Sequence, residues 1–425
     1  QYISRYFRHV SLINTFHGGN MEKENLEYLR AKLAAKQPRV YTRYKYYEMK
    51  NHAKDFGIAT PPKLRNMRYV LGWCGKAVDS LADRIVFDEF RDDNMQFGEI
   101  ANMNNPDIYF DSAVLSALVT SCSFTYLSLT DGFPTWQVLD GSRATGELDP
   151  MTGLLKVGYA VLETDRFGTP TLEAYFEPFK TTYIYEDGKI EEFNHAAPYP
   201  LLVPHIYRPD AKRPFGHSVI SRACMDIVDS AIRTSKRSEI SAEFYSFPQK
   251  YVLGLSDDAE LETWDAAMSA MMSLGKDDEG DRPVVGQFQQ QTMSPHLDQL
   301  KMYASLFAGE TGLTLDDLGF PTENPSSAEA IKSQHENLRL RARKAQRTFG
   351  SSFVNVGYLS ACLRDNATYE RKAAYRTKCA WLPIFEPDSS MLSSIGDGVI
   401  KLNQAVDGYI SPQVLGDLTG IKRNE

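Results

Sequence analysis

The 425-residue chain has a formal net charge of −8, with 42% hydrophobic and 24% charged residues. These values are typical of a globular protein and exclude a disordered or fibrous chain. The net acidity argues against a protein that binds nucleic acid through a broad basic surface, because such binding depends on neutralising phosphates. The length is sufficient for two or three domains.

The cysteines are odd in number and scattered, without a CxxC pair or a Cys/His spacing typical of a metal site. We therefore expect all five to be reduced and buried, which indicates an intracellular origin. No apolar run is as long as a membrane-spanning helix, and no signal peptide is recognised.

The first third of the chain predicts two helices and a strand. Apolar spacing indicates a helix over residues 21–51, interrupted at Pro38, and a second helix from about Leu64 to Arg84. The stretch "VFDEFR" then predicts a strand. A short apolar helix follows Asp111.

Residues from "SFTYLSL" to "IEEFNH" alternate between apolar and polar side chains, as strands do. The turn signals between them are Asp131-Gly132, Asp165 to Gly168 and Asp187-Gly188. This pattern predicts an antiparallel sheet. The prolines at 198, 200, 204, 209 and 214 predict a domain boundary after it.

The second half of the chain predicts two long helices on either side of a small acidic segment. Residues 217–245 contain no Gly or Pro and have the apolar spacing of an amphipathic helix, followed by the strand-like "FPQKYVLG". Residues 257–282 contain nine Asp or Glu. A strand, "VVGQFQQ", and a helix opened by Ser294-Pro295 and ending near Gly309–Gly312 come next.

A polar loop, 314–325, precedes the most basic helix of the sequence. Ser326 and Glu329 predict a capping box, and the apolar spacing predicts a helix that continues past Gly350 to about Leu363. Six cations against Glu329 and Glu336 leave a local charge of +4. They are either a solvated helix face or a contact for phosphates or an acidic neighbouring subunit, and composition alone does not separate these interpretations.

Catalytic signals are weak. The motifs GxxxxGK[ST], HExxH, GxSxG and GxGxxG are absent from the sequence. At His217-Ser218 a capping role for the serine is favoured over a nucleophile pair, and His195, His205 and His296 are interpreted as surface or cap residues. The adjacent carboxylates at 316–317 and 277–281 could bind a divalent cation, although a solvated turn is the favoured interpretation.

The order of the predicted elements, together with local sequence, resembles the portal proteins of tailed bacteriophages. The matching stretches include "LGWCGKAVDSLADRIVFDEF", "SPHLDQLKMYASLFAGETGL" and "NPSSAEAIKSQHENL", and the resemblance runs from about residue 22 to 420. It implies an α+β portal fold with a mixed α/β wing, paired stem helices, a small α/β clip, a long wing helix after a tunnel loop, and a small helical C-terminal crown.

The resemblance also implies boundaries for these parts. They are a wing at 1–216, stem helices at 217–246 and 294–312, a clip at 247–293, a tunnel loop at 313–325, a long wing helix at 326–365, and a C-terminal wing and crown segment at 366–425.

The function implied is a non-enzymatic ring, typically of twelve subunits, at one capsid vertex, through which double-stranded DNA is packaged and ejected. The implied partners are further copies of the chain, the terminase large subunit, a head-tail adaptor, the major capsid protein, and double-stranded DNA that passes through independently of its sequence, with no membrane. Neither a cofactor nor a metal is expected. The location would be the portal vertex of the virion, after assembly in the host cytoplasm.

Three groups of site residues follow from the resemblance. The tunnel-loop residues expected to face DNA are Thr314, Asp316, Asp317, Thr322, Glu323 and Asn324. The clip surface expected to dock terminase or an adaptor contains Asp257, Asp258, Glu260, Asp277, Asp278, Glu279 and Asp281. The basic helix expected to pair with acidic groups of its own or an adjacent subunit contains Lys332, Arg339, Arg341, Arg343, Lys344 and Arg347.

Two alternatives remain at this point. One is an intracellular metal-dependent hydrolase that uses the carboxylates at 277–281. The other is a different structural protein of the virion, such as a head-tail adaptor.

Overall fold

The chain folds into two units in the computed structural model, which describes residues 18–53, 68–246, 250–253, 284–287, 292–321, 333–385, 387 and 389–421. One unit comprises Gln1–Tyr44, Val78–Val219 and Arg339–Glu425, and we call it the sheet unit. The other comprises Lys45–Ala77 and Ile220–Leu338, and we call it the helical-pair unit. Helices and antiparallel sheets together make an α+β protein, as predicted.

The helices, in chain order, are α1 (Gly18–Tyr47), α2 (Trp73–Ala82), α3 (Phe97–Asn102), α4 (Pro106–Thr120), α5 (Arg222–Ser246), α6 (Ser294–Thr311), α7 (Glu336–Arg364), α8 (Ser389–Ala405) and α9 (Pro412–Thr419). Short 3₁₀ turns lie at Asp316–Leu318 and Arg371–Ala374. The strands are β1 (Phe87–Arg91), β2 (Cys122–Thr130), β3 (Phe133–Leu139), β4 (Ala144–Leu148), β5 (Leu155–Thr164), β6 (Pro170–Glu177), β7 (Lys180–Tyr185), β8 (Ile190–Asn194), β9 (Leu202–Ile206), β10 (Lys250–Leu253), β11 (Val284–Gln287) and β12 (Lys378–Trp381).

The predicted antiparallel region forms two sheets, ordered β3-β2-β9 and β4-β5-β6-β7-β8. The turn signal at Asp131-Gly132 is confirmed, since both residues have positive φ, 52° and 79°, between the paired strands β2 and β3. The proline-rich stretch is not only a boundary, because Pro204 lies within β9, opposite Phe124. Strand β9 is at the edge of its sheet, where a residue without an amide hydrogen is tolerated.

Helix α1 is continuous through Pro38, so the predicted interruption is wrong. Proline removes one helical hydrogen bond, but packing and side-chain contacts on the same helix offset that loss. Leu29 and Leu33 are buried against the five-stranded sheet. Gln37 donates to the Ser142 carbonyl at 3.0 Å and Arg43 to the Thr120 carbonyl at 2.9 Å, so polar contacts flank the proline on both sides.

Helix α2 begins at Trp73, and the predicted start near Leu64 lies within residues 54–67, outside the described part of the chain. Residues 68–72, which the prediction included in the helix, are irregular and end at Gly72, a residue type that disfavours helix. A side chain on Gly72 would lie 3.3 Å from the Met49 sulfur. The first residue of α2 therefore directly follows a closely packed glycine.

Helix α5 also starts later than the predicted His217. The amides of His217 and Val219 donate to the carbonyls of Tyr207 and Leu118, at 2.9 and 3.0 Å, and this extended pairing is incompatible with helix. The N-cap is Ser221, whose hydroxyl accepts from the Cys224 amide at 3.2 Å.

Helices α5 and α6 pack side by side and antiparallel in the helical-pair unit. The Ser221 hydroxyl donates to Glu310 at 2.9 Å, whereas Thr234, further along α5, donates to Gln299 at 3.1 Å. Antiparallel strands β10 and β11 lie between the two helices in the chain. Helix α6 ends at Gly312, which has a left-handed φ of 80°, as its predicted C-terminus requires.

Helix α7 continues past Gly350 to Arg364, as its spacing predicted. The predicted single helix over 326–365 is interrupted, however, by a turn at His335. The His335 Nδ1 lies 3.8 Å from a carboxylate oxygen of Asp317, so this point of the chain contacts the preceding turn. The capping box at Ser326 and Glu329 lies outside the described residues.

An aromatic core holds α7 within the sheet unit. Phe353 is fully buried, with ring centroids of Phe110 and His205 at 4.6 and 4.9 Å and that of Trp381 at 6.1 Å. Phe349, one turn earlier, is equally buried. One face of α7 is therefore fixed by large side chains, and its orientation is determined by them.

Candidate functional site

The exposed side of α7 and the segment 371–381 line a groove of about 1200 Å³ in the sheet unit. Its cations are Arg343, Lys344, Arg347, Arg371, Lys372 and Lys378, and no Asp or Glu contributes to the lining. We call this the basic groove. Between the cations lie apolar and aromatic groups, among them Leu340, Val354, Tyr358 and Trp381.

The basic groove forms because helical spacing places its α7 members on one face. Arg343 and Arg347 are four residues apart, and Lys344 and Arg347 are three apart. Like charges at this spacing destabilise a helix by about 0.2–0.5 kcal/mol per pair. The arrangement therefore has a small cost in the isolated chain that an anionic partner would remove.

Most of these cations have no acidic partner within the described residues. Lys372 forms an ion pair with Glu370, and the Arg371 guanidinium donates to the Asn355 side chain at 3.1 Å. The other four, Arg343, Lys344, Arg347 and Lys378, form no ion pair with any described carboxylate. The strongest positive charge of the groove therefore lies on α7 and at the start of β12.

The basic run predicted from sequence is only partly brought together. Arg343, Lys344 and Arg347 line the groove, while Arg339 and Arg341 do not. Arg341 lies near Tyr207. Burial raises the pKa of Tyr207, and the positive charge of Arg341 offsets a small part of this rise. Lys332 lies outside the described residues.

Three groove cations in the segment 371–378, namely Arg371, Lys372 and Lys378, were missed by the sequence interpretation. Their signal was the short basic stretch "RKAAYRTK" directly before a strand. Strand β12 pairs with β1 and places that stretch beside α7. Such proximity depends on a pairing between residues almost 300 positions apart, which local spacing does not reveal.

A second candidate site is the turn after α6. Asp317 accepts hydrogen bonds from the amide and the hydroxyl of Thr314, both at 2.9 Å, and its own amide donates to that hydroxyl at 3.2 Å. This is the reciprocal arrangement of a capping box. The Asp317 carboxylate is therefore committed to the turn, whereas Asp316 is exposed. Predicted tunnel-loop residues Thr322, Glu323 and Asn324 lie outside the described residues.

The predicted clip surface also lies outside the described residues, from Asp257 through Asp281. These are the carboxylates on which the hydrolase alternative depends. Within the residues that the structure does describe, no group of three or more His, Cys, Asp or Glu is arranged to hold a metal ion.

Two of the three histidines interpreted as surface or cap residues are in fact buried. His205 is 0% exposed, and its ring nitrogens lie 2.6 Å from the Thr125 hydroxyl and 2.7 Å from the Ser352 hydroxyl. Burial lowers the pKa of His205 to about 3 and that of His195 to about 4. Sequence alone did not show the burial of His205, because its partners Thr125 and Ser352 are distant in the chain.

The serine of the His217-Ser218 pair does not cap a helix. Its hydroxyl donates to the Val119 carbonyl at 2.6 Å, while His217 Nε2 lies 2.6 Å from an Asp210 carboxylate oxygen. Neither contact makes a nucleophile pair. Both tie the approach to α5 to its surroundings within the sheet unit.

All five cysteines are free, and four of them are buried, whereas Cys379, which was also predicted to be buried, is partly exposed. Burial raises the pKa of the Cys74 and Cys379 thiols, so these groups are poor nucleophiles. Among the helices of the described ranges, none combines the length and the apolar character needed to span a bilayer.

These features define a class of α+β protein in which an antiparallel helical pair flanks two short paired strands in the chain, and whose described candidate sites are surfaces. The chain is 23% identical to the portal protein of Mycobacterium phage L5 over 334 residues, which cover 72% of this chain and 68% of that protein. It is 24% identical to the portal protein of Mycobacterium phage D29 over 337 residues, with the same coverage. The resemblance predicted from sequence is thus confirmed by relatives that carry the portal name.

No protein-family model matches this chain. A solved structure described as the neck of an empty GTA particle aligns with 83% of this chain and 90% of its own, at 12% identity and a TM-score of 0.48.

Proposed function

We propose that this chain is the subunit of a phage portal, a ring at one capsid vertex through which double-stranded DNA enters and leaves. The observation that carries the proposal is the similarity to two portal proteins over 72% of the chain. The order of helix α5, strands β10 and β11, and helix α6 supports it, because this is the order of stem, clip and stem that the resemblance implied. Nothing in the comparisons favours the hydrolase or another virion component.

On this proposal, α5 and α6 are the stem helices and β10 and β11 belong to the clip. The sheet unit supplies the wing, α7 is the long wing helix, and α8 and α9 belong to the small crown. The turn with Asp316 and Asp317 opens the tunnel loop. The acidic residues at 257–281 form the docking surface for terminase or an adaptor.

The proposed role is passage and not catalysis. A subunit with a net charge of −8 suits a channel that must release DNA at each step, because strong phosphate contacts would hold it. The chemical energy for translocation would come from the terminase large subunit. Partners further include the major capsid protein, and assembly would take place in the host cytoplasm before incorporation into the virion.

Electron microscopy of the purified protein, viewed along the ring axis, tests the proposal. We expect particles of uniform subunit number, twelve by analogy with the family, with a central channel. Mass photometry should then give one species at about twelve times the 48.0 kDa subunit mass. A chain that stays monomeric at every concentration up to tens of micromolar would contradict the proposal.

A further inference from the structure

We propose that the basic groove receives the acidic β7–β8 hairpin of a second copy of this chain, and that this contact joins neighbouring subunits. The inference rests on the proposed ring. It assigns a partner surface to cations that the structure leaves without acidic partners among its described residues: Arg343, Lys344, Arg347 and Lys378.

The hairpin carries the opposite charge. From Tyr185 to Asn194 it contains Glu186, Asp187, Glu191 and Glu192 against the single cation Lys189, and all five side chains are exposed. Lys189 pairs with Glu191, at 2.5 Å, and Glu192 lies 3.5 Å from Lys180. Glu186 forms no ion pair with any described cation, so at least one carboxylate at the tip is available to an external cation.

Shape and polarity favour a protein segment over nucleic acid. Strand β8 is the outer strand of its sheet, and Ile190, beside the acidic residues, is 63% exposed. The groove is concave and holds apolar surface from Leu340, Val354 and Trp381 between its cations. A strand edge with both acidic and apolar side chains can use both kinds of surface, whereas a phosphate backbone uses only the cations.

The symmetry of the contact agrees with a ring. Groove and hairpin are different surfaces of the same chain, so each subunit would offer its groove to one neighbour and its hairpin to the other. A contact of this heterologous type generates a closed ring when the rotation between subunits closes.

Charge reversal tests the pairing. The groove variant is Lys344→Glu with Arg347→Glu, the hairpin variant is Glu186→Lys with Glu192→Lys, and a third protein combines both pairs. The control is Arg166→Glu, which reverses an exposed cation in the turn between β5 and β6. Mass photometry across a concentration series measures assembly, and circular dichroism checks that each variant is folded.

We expect each charge-reversed pair alone to raise the concentration needed for ring assembly at least tenfold, and the combined protein to assemble within threefold of wild type. The control should assemble normally. If wild type forms rings and both variants assemble equally well, this inference fails while the proposed function stands. A wild-type chain that never assembles removes the proposed function, and the inference with it.

Anisotropy of a labelled 20-base-pair duplex provides the competing outcome. If the groove variant loses tenfold or more in DNA affinity while its rings form normally, the groove is a nucleic-acid surface and the inference is overturned. Unchanged DNA affinity together with impaired assembly supports it.

Discussion

His205 shows how a single residue joins four elements of the sheet unit. The Tyr109 hydroxyl of α4 lies 2.6 Å from that of Thr125 on β2, and Thr125 and Ser352 lie on either side of the His205 ring. Every polar group in this buried series of hydrogen bonds has a partner, so burying the series costs little free energy while the imidazole is neutral. A proton on the ring would have no compensating charge.

Stability should therefore fall with acidification. The pKa of His205 is about 3 in the folded protein and 6.5 ordinarily, so the unfolded chain takes up a proton first. The neutral histidine contributes fully above pH 6.5, and its contribution is lost as the pH falls towards 3. At pH 5.5 the loss is on the order of 1 kcal/mol, measurable from urea unfolding midpoints at pH 7.5 and 5.5.

His205→Asn is the informative variant. It lowers stability at both pH values but should reduce the difference between them by an amount on the order of 1 kcal/mol. His195, whose pKa is lowered to about 4, keeps its own pH dependence in this variant. An unchanged difference in His205→Asn would mean that this ring titrates normally in the folded protein.

At the scale of elements, helix α7 has an apolar buried face and a positively charged exposed face. Its buried face contains Phe349 and Phe353, and its exposed face carries cations. Gly357 lies where the helix passes closest to α3, because a side chain there would lie 2.5 Å from the Phe97 ring. Gly350 lies in the same helix with only ordinary contacts, 3.5 Å or more.

Gly357→Ala should destabilise the protein by about 1–3 kcal/mol, because Phe97 is fully buried and cannot move aside. Gly350→Ala should be neutral or stabilising by up to about 1 kcal/mol, since alanine favours helix. Thermal unfolding of both variants measures the difference. Equal melting temperatures would show that α3 yields easily to the added methyl group.

Much at this scale could be predicted from sequence, and the exceptions have physical causes. Alternation and Asp-Gly turns identified the long strands correctly because both are local signals. The predicted helix starts were less accurate. The apolar spacing of α5 extends back to His217, but the His217 amide donates to the Tyr207 carbonyl and is therefore not helical. The helix-breaking tendency of Pro38 was overridden by the packing of α1 on the five-stranded sheet, whose first strand begins only at Ala144.

The same difference between local signals and contacts of distant residues applies to the candidate sites. The cations of α7 were visible as a run, but the groove also needs Arg371, Lys372 and Lys378, which β12 brings alongside by pairing with β1. In the turn after α6, two adjacent aspartates looked equivalent. Only the structure separates Asp317, which caps the turn, from the exposed Asp316.

For the whole molecule, that separation sharpens the prediction about the channel. Replacing both aspartates with lysine would damage the turn and also add phosphate contacts, so the two effects could not be distinguished. Asp316→Lys keeps the Thr314–Asp317 hydrogen bonds and, if the loop faces DNA, adds one phosphate contact per subunit. We expect it to slow packaging severalfold in an in vitro assay, and more strongly at low salt.

Asp316→Asn is the matched control, because it removes the same charge without adding a cation, and it should package near the wild-type rate. Normal packaging by Asp316→Lys at low salt would show that this turn does not approach DNA. Asp317→Ala is informative about folding instead, since loss of the cap should cost about 1 kcal/mol.

The two faces of α7 have a mechanical consequence. Arg347 lies in the groove only two positions before the buried Phe349, within one helix about 44 Å long, and no loop intervenes. A force applied at the groove is therefore transmitted directly to the aromatic core of the sheet unit. A ring joined through such grooves would distribute pressure from packed DNA among the cores of its subunits, and its wall would be as stiff as those cores.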